Sequence, residues 1–268
     1  MIVQSREDCF LIIRQMDHAA VSGEFASEWG NEAFARPEPF ESFRLAAAEH
    51  DNGWREWDEN PRIDPETHEP WQFKALGVAE HLSFYQHGIK NVLKQDLYAG
   101  LLVSMHCTGI YSQRYGTDPG LKLERYAPEV EAVVNGFRER MEAQQKHLRV
   151  QLGAAGKGFG AAEERALWAN YKRLQMVDRL SLYLCVTPPE AGTLGPAPLD
   201  DQQDAQWQLR PGDGNRVTMA PYPFRREALE VRIKARRIAR KSYRDDAELR
   251  EALGRAKEEF LEFTISAK

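Results

Sequence analysis

The sequence predicts an α+β fold that is mainly α, with a small antiparallel sheet formed by N- and C-terminal strands. Two observations lead to this prediction. Apolar residues recur at helical spacing through most of 15–187, whereas the alternation typical of strands is confined to the two ends of the chain. The 268 residues are enough for one sizeable domain with an appended segment.

A β-hairpin is predicted within residues 1–14. The apolar runs Met1–Val3 and Cys9–Ile13 are separated there by a polar segment. From Gln15 onward the apolar spacing changes to that of a helix. Helices are predicted over 15–29, 38–50, 76–94, 97–115, 128–152 and 163–185.

The remaining segments are predicted from their composition. Residues 54–71 contain several prolines and many charges, which indicates an irregular and functional loop. Residues 188–215 are rich in Pro, Gly, Asp and Gln, which favours an exposed connecting loop. In 216–268, apolar and charged residues alternate from Leu229 to Ala235 and less cleanly near Phe260, and a helix is expected over 245–257. This last segment is therefore predicted to be strand–helix–strand.

Charge and cysteine content restrict the function. The 36 basic and 41 acidic residues give a net charge of −5, so we expect neither nucleic acid nor an anionic membrane as a partner, but a small-molecule substrate. The cysteines Cys9, Cys107 and Cys185 are odd in number and far apart, which favours buried thiols in a reducing compartment. Without a leader or an apolar span, a cytoplasmic protein is expected. The sequence does not indicate an oligomeric state.

Histidines and acids on helices predict a metal site. His18 and His106 lie on predicted helices among apolar residues, and His50 and Asp51 lie at a helix end before a turn. Asp178 lies on the apolar face of a late helix. Imidazoles and carboxylates held by rigid helices are typical metal ligands, and Asp51 has two oxygens with which it can bridge two ions.

The histidines near residue 80 leave a choice. His81 shares a helix face with Val78, Tyr85 and Ile89, whereas His87 falls on another face, so His81 is the preferred ligand of the two.

Each of the main ligands also has a structural interpretation. His18 would then be a hydrogen-bonded core histidine, Asp51 would cap the Asn52 turn, and Asp178 would pair with a neighbouring arginine.

The ordered set resembles the H…HD…D signature of the HD superfamily of metal-dependent phosphohydrolases. His18, the His50-Asp51 doublet and Asp178 carry it, and the phrases AEHDNGW and SMHCTG are similar to an uncharacterised bacterial HD-like family. The resemblance covers about residues 15–185. It implies an HD-like helical core and a divalent metal, as one or two ions. Among Mn, Fe, Zn, Mg and Ni the sequence makes no distinction. It also implies that His81 and His106 are the additional ligands of a two-metal site.

The function that follows is hydrolysis of a small or nucleotide-like phosphoester by a metal-activated water. His50 and Asp51 are then the catalytic residues. Arg55, Lys74 and Arg114 are the cations expected to bind phosphate, and Trp54 either stacks on a substrate ring or fastens its loop to the core. Two alternatives remain: a di-iron oxygenase of HD-like fold, and a non-catalytic protein that binds a metal or ligand.

Overall fold

The computed structural model describes residues 1–117, 127–157 and 159–267. Its helices are α1 (Gln15–Glu28), α2 (Phe40–Glu49), α3 (Arg55–Glu59), α4 (Val78–Leu93), α5 (Leu97–Ile110), α6 (Pro128–Leu152), α7 (Ala161–Cys185) and α8 (Asp246–Arg255). Its strands are β1 (Ile2–Ser5), β2 (Cys9–Ile13), β3 (Gly192–Pro198), β4 (Asp204–Pro211), β5 (Arg216–Ala220), β6 (Ala228–Ala239) and β7 (Glu258–Ala267).

The helices of residues 15–187 lie close to their predicted positions. The clearest difference is the end of α5, which stops at Ile110 instead of continuing to residue 115. Beyond Ile110 the chain turns away, and Gln113, Arg114 and Tyr115 take positive φ angles that a right-handed helix cannot contain. Among the described helices, none is long and apolar enough to cross a bilayer.

The sheet differs most from the prediction. The prediction of a small antiparallel sheet of terminal strands beside an HD-like helical core is wrong. The structure instead has one seven-stranded sheet in the order β1-β2-β6-β7-β5-β4-β3. The sheet is mixed, because β5 and β7 are parallel and the other pairs are antiparallel.

Two of the additional strands come from residues 188–215, which the composition had assigned to an exposed loop. In β4, Trp207 and Leu209 are buried while the residues between and beside them face solvent, which is the alternation of a half-buried strand. β3 tolerates Pro196 and Pro198 because it lies at the edge of the sheet, where missing backbone donors matter least. The polar composition of the segment thus conceals a strand pair.

The C-terminal segment also gains a strand. Residues 216–268 contain β5 as well as β6, α8 and β7, so the predicted strand–helix–strand order is incomplete. The alternation from Leu229 to Ala235 does form the buried face of β6, and the N-terminal hairpin pairs with that strand through β2.

Helices α1 and α7 connect the sheet to the remaining helices. α1 packs on β6, α2 and α7, while α7 also packs on β3 and α5. A smaller apolar cluster lies under α8, where the β1–β2 hairpin meets Trp54 and Trp57. The loop expected over 54–71 therefore includes α3, and both tryptophans fasten it to the core. Helices α1, α2 and α7 contact one another.

A candidate metal centre between three helices

Four predicted ligands converge on one point. His18 comes from α1, His50 is the C-terminal cap of α2, Asp51 follows it, and Asp178 comes from α7. Each residue is at most 4% exposed. Nε2 of His18 lies 3.2 Å from Nε2 of His50, 3.4 Å from Oδ2 of Asp51 and 3.5 Å from Oδ1 of Asp178. Nε2 of His50 lies 3.7 Å and 3.5 Å from the same two carboxylate oxygens.

Hydrogen bonds on the far side of each ring fix the direction of the histidines. Nδ1 of His50 lies 2.9 Å from the carbonyl of Ala47, which can only accept, so Nδ1 carries the proton. Nδ1 of His18 lies 2.5 Å from Oγ of Ser181, whose own proton is donated to the carbonyl of Asp178. Nδ1 of His18 is therefore also the donor. Nε2 of both rings thus points into the cluster and is the atom that can bind a metal once it carries no proton, as in metal-bound histidines.

Electrostatics keeps both carboxylates ionised. Burial alone would raise the pKa of Asp51, but the charge of His50 and the hydrogen bond from His18 outweigh it and lower the pKa to about 2. Burial is likewise overcome at Asp178 by its contacts with His50, His106 and Arg114, and its pKa lies well below the usual range. Burial alone would lower the pKa of His50, yet Asp51 and Asp178 raise it to about 9.

A close backbone approach positions the His50-Asp51 pair. After Asp51 the chain makes a 3₁₀ turn over Asn52–Trp54, and Gly53 in that turn lies against α4. A Cβ atom on Gly53 would lie 1.9 Å from the carbonyl oxygen of Phe84 and 3.1 Å from the amide of Gly88. The glycine of the AEHDNGW phrase therefore allows α4 to pack beside the metal ligands.

His106 on α5 extends the cluster. With His50 and Asp178 it forms a second group of possible ligands, besides the group of His18, His50 and Asp51. Both groups use His50, and its Nδ1 is occupied, so its one free nitrogen serves one ion. The buried side chains can therefore hold one ion, and a second ion would need a carboxylate bridge together with further histidines.

The side-chain amide of Gln175 lies 2.9 Å from Nδ1 of His106. Its Oε1 is buried and has no hydrogen-bond partner among the described residues. With the amide turned by 180°, Oε1 would accept the Nδ1 proton of His106 and leave Nε2 free as a ligand. Burial lowers the pKa of His106 to about 3, so its ring is neutral at neutral pH.

His81 lies in the same cavity but outside both ligand groups. Its Nδ1 is hydrogen-bonded to the hydroxyl of Tyr111, and its ring meets those of Trp54 and Tyr85 edge-on. Burial lowers its pKa to about 4, so the imidazole is neutral. His87, the other residue considered at this position, is exposed on α4. Only His81 of the two lines the cavity.

His18, Asp51 and Asp178 of the cluster line a cavity of about 390 Å³, whereas His50 lies outside its lining. Of the predicted substrate-binding residues, Trp54, Lys74 and Arg114 line this cavity. Nη2 of Arg114 lies 3.5 Å from Oδ2 of Asp178. Arg55 is exposed and is not among the residues that line the cavity. The volume lies near the lower end of the range for small-molecule sites, about 300–1,000 Å³.

Several polar residues at the site were not predicted. Gln15 and Tyr85 donate to the two oxygens of Asp51, at 3.4 Å and 3.1 Å, and Ser181 orients His18. A signal was present in the spacing, because Gln15 precedes His18 by three positions and Ser181 follows Asp178 by three. Residues three or four apart share one face of a helix.

The donor set fits a divalent ion. At a ligand length of about 2.1 Å, neighbouring ligand atoms are about 3.0 Å apart in an octahedron and about 3.4 Å in a tetrahedron. The separations between the His18 and His50 nitrogens and the two carboxylate oxygens are 3.2–3.7 Å. Neutral imidazoles with ionised carboxylates suit Zn, Mn, Fe and Ni better than they suit Ca. Buried His and Asp groups of this chain can thus hold a metal ion.

Comparison with known proteins gives one family. No curated protein and no solved structure matches the chain significantly. A family described as a protein of unknown function, DUF3891, matches residues 1–240, which include every ligand discussed above. By this match over most of its length, the chain belongs to the DUF3891 family.

Proposed function

We propose that this protein is a metal-dependent phosphohydrolase that acts on a small or nucleotide-like phosphoester. One observation carries the proposal: three of the four clustered ligands, His18, Asp51 and Asp178, line a cavity that the cation Arg114 also lines. The likeness of these ligands, in order and helical placement, to the HD signature supports it. A cation beside a divalent-metal site is an arrangement that suits the binding of a phosphoryl group.

The roles of the residues follow from their positions. His18, His50, Asp51 and Asp178 would hold the ion, which supplies Lewis-acid activation of water and of the phosphoryl oxygens. Arg114 and Lys74 neutralise the remaining negative charge of the phosphate, and Lys74 does so from the exposed rim of the cavity.

Uncharged side chains also line the cavity. His81 and His106 are neutral at neutral pH and can accept a proton or ligate a second ion. Trp54 presents a buried aromatic ring to whatever is esterified to the phosphate.

Metal analysis combined with hydrolysis assays tests the proposal. The purified chain is expected to hold one divalent ion and to hydrolyse at least one member of a panel of phosphomonoesters, phosphodiesters and nucleotides. His50→Ala and Asp51→Ala should lose both the metal and the hydrolysis, because each removes a ligand. His87→Ala is the matched control, since it deletes an exposed histidine of α4 and should change neither.

Three results would contradict the proposal. Full metal content in the Asp51→Ala variant would show that the ion lies elsewhere. Two iron atoms per chain, with oxygen consumption and no phosphoester hydrolysis, would instead favour an oxygenase that uses His81 and His106 as additional ligands. A metal-loaded protein without turnover of any kind would indicate a binding role.

A further inference from the structure

An unusual turn carries Arg114 to the cavity. Gln113, Arg114, Tyr115 and Gly116 all have positive φ angles, of 50°, 49°, 54° and 74°. The left-handed conformation is unfavourable for an L-residue that carries a Cβ atom. Three successive non-glycine residues in this region therefore need support from their surroundings.

Contacts on both sides hold the turn. The ring of Tyr115 meets the rings of Trp168 and Tyr171 edge-on, and its hydroxyl is hydrogen-bonded to Thr108. The hydroxyl of Thr117 donates to the carbonyl of Arg114 at 2.5 Å. These contacts direct the guanidinium group back over α7 toward Asp178.

Asp178 divides its two oxygens between the cluster and this arginine. Oδ1 faces the Nε2 atoms of His18 and His50 at 3.5 Å, whereas Oδ2 faces Nη2 of Arg114, also at 3.5 Å. The other terminal nitrogen, Nη1, is buried and has no hydrogen-bond partner within the described part of the chain. The guanidinium side chain is 14% exposed. A cation that is largely shielded from solvent and has an unpaired donor favours a negatively charged ligand beside it.

A charge count shows when that ligand is favoured. Asp51 and Asp178 carry two negative charges and Arg114 carries one positive charge. Loading a divalent ion adds two positive charges, or one if the ion displaces a proton from a histidine. The loaded site is therefore more positive than the unloaded one by at least one charge, and the ion balances the carboxylates, so an anion binds the loaded site more favourably.

We propose that Arg114 binds the anionic group of the ligand, and that loading of the divalent ion is the condition under which this anion binds. The inference rests on the proposed metal site and adds an order of events, metal first and phosphate second. It also explains the left-handed turn, which holds the guanidinium group beside Asp178.

Calorimetric titration with inorganic phosphate tests the order of binding. The full chain is stripped with a chelator, and half of it is reloaded with Mn²⁺ and freed of excess metal. Phosphate should bind the loaded protein at least about tenfold more tightly than the stripped protein, as expected for one charged hydrogen bond combined with a more positive net charge of the site. Equal affinity for the two forms would overturn the proposal, and so would the absence of phosphate binding to the loaded form.

Substitution of Arg114 tests the residue. In the loaded protein, Arg114→Gln should weaken phosphate binding at least about tenfold, and Arg114→Lys should retain part of it because the charge remains without the planar fork. Arg55→Gln is the control, since Arg55 is an exposed arginine outside the cavity wall, and its phosphate affinity should equal that of the wild type.

Metal affinity provides a readout that a purely structural role would move in the opposite direction. Removing the cation beside Asp178 should make Arg114→Gln bind Mn²⁺ more tightly than the wild type, whereas loss of structure would weaken metal binding. Weaker Mn²⁺ binding by both Arg114→Gln and Arg114→Lys would overturn the proposal. Failure of the wild type to take up any divalent metal would refute the proposed function itself. Metal uptake with phosphate binding that ignores Arg114 would refute this inference alone.

Discussion

The sheet and the helical layer bury different kinds of side chain. On β6 the inward-facing residues Leu229, Val231, Ile233 and Ala235 are apolar, and they pack into the main core. The helical layer places two histidines and two carboxylates in contact in its interior. An apolar face is complete once it is packed, whereas a buried polar cluster is costly until each donor and acceptor has a partner.

Unpaired atoms sharpen this difference. Oε1 of Gln15, Oε1 of Gln175 and Nη1 of Arg114 are buried without a hydrogen-bond partner among the described residues, and all three side chains contact the cluster. We infer that the helical layer around the cluster is completed by what it binds. Changes to the sheet should therefore affect stability alone, and changes near the cluster should affect binding.

The largest expected effect on stability lies in the sheet. Ile233→Ala should lower the free energy of unfolding by about 2–5 kcal/mol, because it opens a cavity beside a side chain that is fully buried. The loss should be the same in chelator and in saturating metal. Denaturant unfolding under the two conditions measures it, with the exposed neighbour Lys234→Ala as a control that should lose under about 1 kcal/mol. A loss that saturating metal restored would break the separation between the two regions.

The metal site should respond to pH through one proton. Only neutral imidazole binds metal, and His50 in the metal-free protein has a pKa of about 9, so binding below that pH displaces its proton. Metal affinity should therefore rise about tenfold per pH unit, or about 1.4 kcal/mol, until pH 9 and level off above it. His81 and His106 add nothing in this range, because their pKa values of about 4 and 3 leave them already neutral.

Competition with a calibrated chelator at several pH values from 7 to 10 measures this dependence. His87→Ala should give the same curve, since His87 is exposed and belongs to neither ligand group. A flat affinity between pH 7 and 9 would mean that His50 is already neutral or is not a ligand.

The site was more predictable from the sequence than the sheet was. His18 and Asp178 lie on helices whose periodicity is visible locally, so a buried polar residue is conspicuous on an otherwise apolar face. His106 was identified for the same reason. His50 and Asp51 directly follow another such helix, α2. Arg55 was wrongly included because it is close to His50 in the sequence, and this closeness does not show where its side chain points. A turn separates the two residues, and Arg55 begins α3 and faces solvent.

The sheet depends on pairings that no local pattern contains. β5 pairs with β7 in parallel, from Arg216 opposite Thr264 to Met219 opposite Ala267, across most of the C-terminal segment. Trp207 is fully buried although it lies in a stretch dominated by Asp and Gln. Alternate residues of a strand face opposite sides of the sheet, so the polar residues before and after Trp207 face water. Short strands with one polar face resemble loops in composition, which is why residues 188–215 were assigned to a connection.

The smallest expected effect on stability comes from relieving an unfavourable backbone conformation, which occurs near the cavity and not in the described strands. Of the described non-glycine residues with positive φ, three are consecutive at Gln113–Tyr115 and include Arg114, which lines the cavity. None of the described residues of this kind lies within a strand of the sheet. Gln113 is exposed, so its side chain can be removed without opening the core. Gln113→Gly should raise the free energy of unfolding by up to about 1 kcal/mol, since the left-handed penalty of about 1–2 kcal/mol exceeds the entropy that glycine adds.

The same substitution in a right-handed helix provides the control. Gln151→Gly, at an exposed position of α6, should instead lower stability by up to about 1 kcal/mol. Denaturant unfolding compares the two variants, and phosphate titration of the metal-loaded protein then asks what the turn contributes. If Gln113→Gly stabilised the fold but weakened phosphate binding, the strained residues would be holding Arg114 in place for its ligand. Unchanged phosphate affinity would instead mean that the contacts of Tyr115 with α7 are enough to hold it.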